Sequence, residues 1–318
     1  MALHIVEGLE KFHQAYQKAV RKNIYLDLER SAILAEFEKA GIWYLPLKGV
    51  LLKDLYPETG MREMSDNDIL YDSAEQSKAM EIMLARGYTA ESVGETHHDV
   101  YMKPPVLNFE LHTSLFGSAH AEPLFKYYAD TRRLLRKDDG NNYGYHFSDE
   151  DFYVYMTAHE WKHYNGNGTG IRSLLDCYVY CKVKSDSLDW EYITGQIRQL
   201  EITGFEQERR ALAVKVFSTD TLPDLTEHEQ EMLMYYLTAG TYGTFENSIK
   251  KKLKEQSRLS FWLHSIFIPR KQMAQSVKFT AASPLLYPAG VIWRCGRVLL
   301  CRQDRLKQTI KAVNKYGK

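Results

Sequence analysis

The chain has 318 residues, of which 44% are hydrophobic and 26% charged, with 41 Lys and Arg against 41 Asp and Glu. This is the composition of an ordinary globular protein rather than of a disordered or membrane-embedded one, and the length predicts a sizeable core shared by two subdomains. No apolar stretch reaches about 18 residues and no basic, then apolar, leader opens the chain, so we expect a cytoplasmic protein without a transmembrane segment.

The first part of the chain alternates helical and strand patterns. Apolar residues at helical spacing predict two helices within residues 5–37, and Gly41 separates them from a first strand. The elements predicted after Gly41 are a strand at 42–45, a helix at 50–56, a strand carrying residues 66–71, a helix at 74–85, and strands at 97–103 and 106–113. The sequence therefore predicts an α+β fold that begins with a small mixed β-sheet and flanking helices.

Two carboxylates stand in the strand at 66–71. Asp66 and Asp68 are two residues apart, so on a strand both side chains leave the same face. Glu110 lies in the last strand of the predicted sheet and shares its face with His112. Because carboxylate oxygens and substrate phosphates are the ligands that Mg²⁺ prefers, the pattern predicts a metal site at Asp66, Asp68 and Glu110. The alternative for the Asp-x-Asp pair alone is a solvated strand end.

Positive charge and a glycine lie close to these carboxylates in sequence. Lys48 and Arg62 supply the charge that a triphosphate or a leaving pyrophosphate needs, and Gly49 lets backbone N–H groups approach phosphate at a helix N-terminus. Two metal ions held by carboxylates can clamp the attacking and leaving oxygens of an in-line displacement. These residues together predict phosphoryl or nucleotidyl transfer.

The same motifs occur in this order in a known superfamily. They are Lys-Gly at 48–49, Arg-x-x-x-Asp-x-Asp at 62–68, Gly-Tyr at 87–88 and Glu-Leu-His at 110–112. Over roughly residues 30–180 the chain resembles the DNA polymerase β-type nucleotidyltransferase superfamily, and it is most similar to the bacterial branch, whose members mostly lack an assigned substrate.

The resemblance implies a function and a set of site residues. Asp66, Asp68 and Glu110 would be the catalytic residues that bind Mg²⁺ or Mn²⁺, and Gly49 would open the helix that approaches the triphosphate. The donor would be an NTP, which we expect to be ATP, and the acceptor is unidentified. We expect His112 to orient that acceptor.

The sequence departs from the superfamily at two positions. The usual Gly-Gly or Gly-Ser pair is Lys48-Gly49 here, and the normally aliphatic residue between the two aspartates is Asn67, whose amide needs a partner in the core. These departures support an alternative function, a nucleotide-binding module without catalysis.

A turn cluster at residues 138–142 predicts the domain boundary. Residues 1–137 would form the nucleotidyltransferase core with its N-terminal helices. Residues 138–318 would form an α-helical domain, which starts with a helix capped by Ser148 and ends in a basic amphipathic helix. Cys177 and Cys181 lie four apart in a helical pattern and are expected to be reduced core thiols.

The helix after Ser148 contains an H-E-x-x-H sequence. His159 and His163 could bind zinc with Glu160 as the base, which makes a zinc metallohydrolase a further alternative, but Thr169 stands where a third histidine would be needed.

The interpretation that we favour places several side chains of this helix and the next around the nucleotide or the acceptor. These side chains would either contact that molecule or support the residues that contact it. They are His159, Lys162, His163, Arg172 and Asp176. Histidines buried in the core and bonded to Asp176 or to the backbone are an equally open reading.

Charge is unevenly distributed along the chain. Residues 250–318 carry sixteen Lys and Arg against two acidic residues, a net charge of +14, and the preceding residues carry −14. This basic segment predicts an acidic partner or an anionic membrane surface. The alternatives are that the oppositely charged parts pack together, and that the basic helix packs on its own domain.

Overall fold

The structure is a computed structural model of the chain. It describes residues 2–117, 120–221, 223–240, 246, 249–250, 252–253, 256–301 and 303–317. The chain forms two compact units. The first contains Met1–His159 and Leu174–Pro223, and the second contains Glu160–Ser173 and Asp224–Lys318. The predicted functional division at residue 137 stays a prediction.

A five-stranded mixed sheet is the centre of the first unit. Its strands, in the spatial order β1-β2-β5-β4-β3, are β1 (Tyr44–Pro46), β2 (Asn67–Tyr71), β5 (Leu107–His112), β4 (His98–Lys103) and β3 (Thr89–Ser92). Neighbouring strands run antiparallel except for β2 and β5, which are parallel. The mixed sheet and the many helices confirm the predicted α+β class. β3 was not predicted, because its residues Thr89–Ser92 are mostly polar and exposed.

Helix α1 (Ala2–Ala40) covers one face of this sheet. The sequence predicted two helices here, which is wrong, because no Gly or Pro interrupts residues 9–40. The ring of Phe37 lies 6.1 Å from that of Tyr71, and a cluster of buried apolar residues joins the helix to the sheet. Asn67, Ile69 and Tyr71 alternate along β2 and face α1, so Asp68 lies on the opposite face of the strand.

The remaining helices follow in chain order. In the first unit these are α2 (Gly49–Leu52), α3 (Gln76–Ala85), α4 (Glu122–Tyr127), α5 (Asp149–Asn165, whose last residues belong to the second unit), α6 (Ile171–Lys184, whose first residues do so too), α7 (Trp190–Gln199) and α8 (Thr203–Phe217). Gly87 (φ +80) ends α3 as predicted, with Tyr88 N–H bonded to Met83 O. The Ser148 cap of α5 is also confirmed, since its Oγ accepts from Asp151 N–H at 3.1 Å.

A short hairpin precedes α5. Strand β6 (Leu135–Lys137) pairs with β7 (Tyr145–Phe147), so the turn cluster at 138–142 connects two strands rather than opening a purely helical region. The hairpin was missed because each strand has only three residues, too few for a period-two pattern.

The second unit is helical in its described part. Its helices include α9 (Glu227–Ala239), Arg258–Ile266, Arg270–Ser276, Tyr287–Cys301 and Gln303–Tyr316. The predicted basic helix is thus distributed over the last two of these, and Val313 contributes to a small core with Phe261. Within the described residues, no helix combines the length and the apolar character needed to cross a membrane.

Candidate active site

The parallel pairing of β2 with β5 brings two of the predicted carboxylates together. Asp68 is opposite Glu110 in register, and Leu70 is opposite His112. Residues at alternate positions of paired strands share one face, so Asp68, Glu110 and His112 all leave the face that α1 does not cover. Ile69 and Leu111 anchor the same strands in the core on the other side.

Asp68 is the best-connected carboxylate of this group. Its Oδ1 accepts from the Lys48 ammonium at 3.0 Å and from His112 Nε2 at 2.7 Å. Glu110 Oε2 lies 3.7 Å from His112 Nε2. One atom from each of Asp68, Glu110 and His112 lies within 4.8 Å of the other two. Two carboxylates this close, with one ammonium beside them, fit a hard divalent cation, which takes oxygen ligands.

Asp66 precedes β2 and lies near the basic residues of the site. Its Oδ1 accepts from Ser65 Oγ at 3.1 Å, and its charge contributes to the raised pKa values of Lys48 and Arg62. Among the described residues, Asp66 is outside the close group formed by Asp68, Glu110 and His112. Its role as a metal ligand stays a prediction.

Lys48 has a backbone conformation that glycine adopts more easily. Its φ of 47° and ψ of −105° lie outside the regions common for L-residues, and such a conformation costs on the order of 1–3 kcal/mol. Lys48 O accepts from Leu51 N–H and Leu52 N–H and so caps α2. The departure from the usual Gly-Gly or Gly-Ser pair therefore places a strained lysine where the superfamily has its first glycine.

Gly49 allows the Arg62 guanidinium to lie close to the backbone. A Cβ at this position would lie 2.8 Å from Arg62 Nη1, so a larger residue would displace the guanidinium. Arg62 has little freedom to move, because its Nε and Nη2 donate to the two carboxylate oxygens of Asp176 at 2.7 and 2.8 Å. Tyr56 Oη donates to the same carboxylate at 2.7 Å. Nη1, which does not bond to Asp176, is thus the guanidinium nitrogen beside Gly49.

The amide of Asn67 has the partners that the sequence required. Arg30 Nη1 donates to Asn67 Oδ1 at 3.0 Å, and Asn67 Nδ2 donates to Leu26 O at 3.1 Å. Asn23, also on α1, donates to Arg62 O and accepts from Met64 N–H. Polar groups of α1 thus hold both the segment before β2 and the residue between the two aspartates.

The electrostatics of the site fix the charges of its central residues. Burial alone would raise the pKa of the Asp68 carboxyl, but the Lys48 ammonium and the His112 hydrogen bond outweigh it and hold that pKa well below its usual range. Burial would likewise lower the pKa of Lys48, yet the negative charge of Asp68 raises it. Burial lowers the pKa of His112 to about 4 against the opposing effect of Asp68. At neutral pH the site therefore holds a carboxylate, an ammonium and a neutral imidazole.

Two features of the site were missed from the sequence. The buried phenol of Tyr155, on α5, is close enough to Lys48, Asp68 and Glu110 for their charges to act on its pKa, which burial raises. The ring of Tyr155 stacks on Phe147 at 5.5 Å. A tyrosine on a mostly buried helix has no local signal of function.

The second missed feature is a group of histidines. The rings of His97 and His98 lie 5.9 and 5.1 Å from that of His112, and the ring of His120 lies 5.0 Å from that of His97. The adjacent pair His97-His98 was visible in the sequence, but its position beside His112 follows from strand pairing.

The predicted acceptor residues beyond residue 150 are spread over two helices. His159 lies on α5 with its ring 6.1 Å from that of Tyr155. Lys162 and His163 lie in the last turn of the same helix, and Arg172 is in the first turn of α6. These three belong to the second unit, and their roles at the acceptor stay predictions.

Asp176 and Glu160 have defined partners. Asp176 holds Arg62, so it supports a predicted phosphate-binding residue. Glu160 of the H-E-x-x-H sequence is buried and accepts from Tyr236 Oη at 2.6 Å. The groups of close metal-ligating atoms found in the described part of the chain involve neither His159 nor His163.

The sequence matches one family model. Residues 3–218 match the model of a family described as "Uncharacterised nucleotidyltransferase". No curated protein matches the chain. Among solved structures, an antigenic nucleotidyltransferase-like protein from Paracoccidioides brasiliensis is similar at 12% identity, covering 62% of this chain and 90% of that chain, with a TM-score of 0.38. A likeness that weak carries no argument, so the family match stands by itself.

Proposed function

Since the chain belongs to the uncharacterised nucleotidyltransferase family, we propose that it transfers a nucleotidyl group from an NTP, expected to be ATP, to a hydroxyl or similar group of an acceptor. One observation carries this proposal. The register of the two parallel strands sets Asp68 and Glu110 side by side on one face, next to the Lys48 ammonium. Opposite charges in this arrangement suit a triphosphate and its metal ion better than they suit a neutral ligand.

Asp66, Asp68 and Glu110 are the residues that we propose to hold Mg²⁺ or Mn²⁺. The ion would neutralise phosphate charge and position the reacting oxygens. The donor set fits a hard cation because Asp68 is ionised and both strand carboxylates offer oxygen atoms. Membership of the bacterial branch is part of the same proposal.

The chain's own basic and acidic groups would bind phosphate and accept the proton of the nucleophile. Lys48 stays protonated because its pKa is raised, so it binds phosphate as a cation rather than acting as a base. Glu110 is the better proton acceptor for the nucleophile, since its side chain is 26% exposed against 9% for Asp68. Arg62 Nη1 is the guanidinium nitrogen that we propose to face phosphate, next to Gly49.

The first test is differential scanning fluorimetry with ATP, GTP, CTP and UTP, each with and without Mg²⁺. We expect one nucleotide with Mg²⁺ to raise the unfolding temperature, because a ligand at about 100 times its Kd stabilises by about 2.7 kcal/mol. Asp68→Asn should abolish the shift, whereas Asp186→Asn, which changes an exposed aspartate outside the site, should not. No shift with any nucleotide would refute the proposal.

A nucleotide-binding module without catalysis is the second candidate. The observation that favours it is the double occupation of Asp68 Oδ1 by Lys48 and His112. Pyrophosphate release from the preferred NTP separates the two candidates, since the module would give the thermal shift without release. The zinc metallohydrolase alternative has less support, because the Glu160 carboxylate is engaged by Tyr236.

Further parts of the proposal concern the acceptor and the surroundings. His112, His159, Lys162, His163 and Arg172 remain the residues that we propose to contact or support the acceptor. The basic segment 250–318 would meet an acidic partner or an anionic membrane surface. The proposed compartment is the cytoplasm, in keeping with four cysteines of which none forms a disulfide.

A further inference from the structure

Histidine side chains gather at the end of the sheet where β4 begins and β5 ends. His98 and His112 are opposite each other in the antiparallel register of these strands. His97 precedes β4, and its carbonyl accepts from Thr113 N–H at 2.9 Å, which fixes its backbone beside the end of β5. Strand pairing therefore holds the backbones of His98 and His112, and the bond from Thr113 holds that of His97 next to them.

The spacing of these rings suits a metal ion that prefers nitrogen. One ring nitrogen from each of His97, His98 and His112 lies within 4.8 Å of the other two. Nitrogens bound to a single tetrahedral Zn²⁺ lie about 3.3 Å apart, given Zn–N bonds of about 2.0–2.1 Å. Rotation about the soft χ2 torsion of histidine can supply the remaining contraction of about 1–1.5 Å.

His112 has the pattern of a metal ligand that is oriented by a carboxylate. Its Nε2 donates to Asp68, an acceptor that is ionised, which leaves the lone pair on Nδ1. That buried Nδ1 has no hydrogen-bond partner in the part of the chain that the structure describes, and the residue is 5% exposed. A buried acceptor without a partner is unfavourable, and binding of an ion would remove that penalty. Metal-binding histidines usually donate their other ring N–H to a carboxylate in this way.

We propose that His97, His98 and His112 form a site for a divalent transition-metal ion of the Zn²⁺ class, with His112 binding through Nδ1. The ion takes three neutral imidazoles and leaves a fourth position open to water or to a ligand. His120 is outside the ligand set, because among the described residues the group of mutually close ring nitrogens contains only His97, His98 and His112, and the Nδ1 of His120 is engaged by the backbone of Gly117.

This site differs in chemistry from the carboxylate site, although the two are linked. Imidazole nitrogen favours Zn²⁺, Ni²⁺ or Co²⁺, whereas carboxylate oxygen favours Mg²⁺. The link is the hydrogen bond from His112 to Asp68. An ion bound at His112 Nδ1 would keep the ring in the tautomer that donates from Nε2 to Asp68. The inference rests on the histidine geometry and does not depend on the proposed nucleotidyl transfer.

The test uses the full chain, freed of metal with a chelator and titrated with Co²⁺ as the probe. Co²⁺ held by three imidazoles has a visible d–d absorption, and Zn²⁺ added afterwards should displace it. We expect one Co²⁺ per chain and, for His97→Asn or His98→Gln, an affinity at least about tenfold lower. His264→Gln, a substitution of an exposed histidine on the helix Arg258–Ile266 and outside the sheet, is the matched control and should bind Co²⁺ like the parent chain.

Two further measurements keep the outcome interpretable. Thermal unfolding without metal shows whether each variant is folded, and the Zn²⁺-induced rise in unfolding temperature should be smaller in both single variants than in the control. Asp66→Asn should retain Co²⁺ binding while losing any Mg²⁺-dependent nucleotide shift, so the two proposals fail separately. Absence of saturable Co²⁺ absorption, or an unchanged titration in both single variants, would overturn the inference.

Discussion

Replacing Lys48 by alanine and by glycine separates the side-chain contact of this residue from its backbone strain. Both substitutions remove the 3.0 Å contact between the ammonium and Asp68. Loss of one partner of a buried ion pair costs about 3–5 kcal/mol, and the lower end applies because the Lys48 side chain is 20% exposed. Only glycine also relieves the backbone conformation with φ of 47°.

The difference between the two variants can be worked out from these contributions. Relief of the strain is worth about 1–3 kcal/mol, and the larger conformational entropy of glycine in the unfolded chain offsets about 0.5–1 kcal/mol of it. We therefore expect the free energy of unfolding of Lys48→Gly to exceed that of Lys48→Ala by about 1–2 kcal/mol. This order is the reverse of the usual one for alanine and glycine.

Urea denaturation of four variants provides the assay. The control pair is Lys53→Gly and Lys53→Ala, because Lys53 follows α2 with ordinary helical angles (φ −60°, ψ −30°) and also pairs with a carboxylate, that of Asp27. At Lys53 alanine should be the more stable by about 1 kcal/mol. If alanine is as stable as glycine at Lys48 while the control pair shows its usual order, the strain assigned to Lys48 is refuted.

Three further predictions concern packing and charge. Gly49→Ala should lower the unfolding temperature, at a cost of about 1–3 kcal/mol, because its Cβ would meet the Arg62 guanidinium, whereas Gly195→Ala in α7, where a Cβ meets open space, should raise it. Asp176→Ala should lower the free energy of unfolding in urea by about 3–5 kcal/mol, since it leaves the buried guanidinium unpaired; a loss below about 1 kcal/mol would contradict this. Burial would raise the pKa of Glu29, but hydrogen bonds and neighbouring positive charges outweigh it and lower that pKa below 4.5. The ionised Glu29 therefore stabilises the folded chain above pH 4.5, and this contribution is lost as the pH falls through the folded-state pKa. Thermal unfolding of Glu29→Gln should accordingly depend less on pH below 4.5 than that of the parent chain.

The strands that carry the site were predictable from local pattern. Glu110 stands between Phe109 and Leu111, and Asp68 leads directly into an apolar run that begins at Ile69, so alternation along a strand is enough to assign each carboxylate to one face. That the two strands are neighbours and parallel was not predictable, because strand order and register depend on how the whole sheet covers its core. The metal site predicted from spacing therefore needed the fold to show which carboxylates meet.

Contacts between residues far apart in the chain could not be predicted from the sequence for a different reason. Arg62 and Asp176 are 114 positions apart, and nothing near either residue indicates a bidentate pair. The histidine pair at 97–98 likewise gave no indication of a site, since its position beside His112 depends on the register of β4 against β5. By contrast, the need of Asn67 for a partner was clear from the sequence, because a buried amide requires hydrogen bonds whatever the fold.

The long separation between Arg62 and Asp176 also has a consequence for the growing polypeptide on the ribosome. Asp176 is added 114 residues after Arg62, and an unpaired guanidinium is too costly to bury in the interval. The segment around Arg62 therefore stays hydrated until α6 has emerged, even though all three predicted metal-binding carboxylates have already been synthesised. A prematurely terminated chain that ends at residue 137 would carry those carboxylates without the residue that sets Arg62 beside Gly49. Incomplete translation products are thus expected to be inactive.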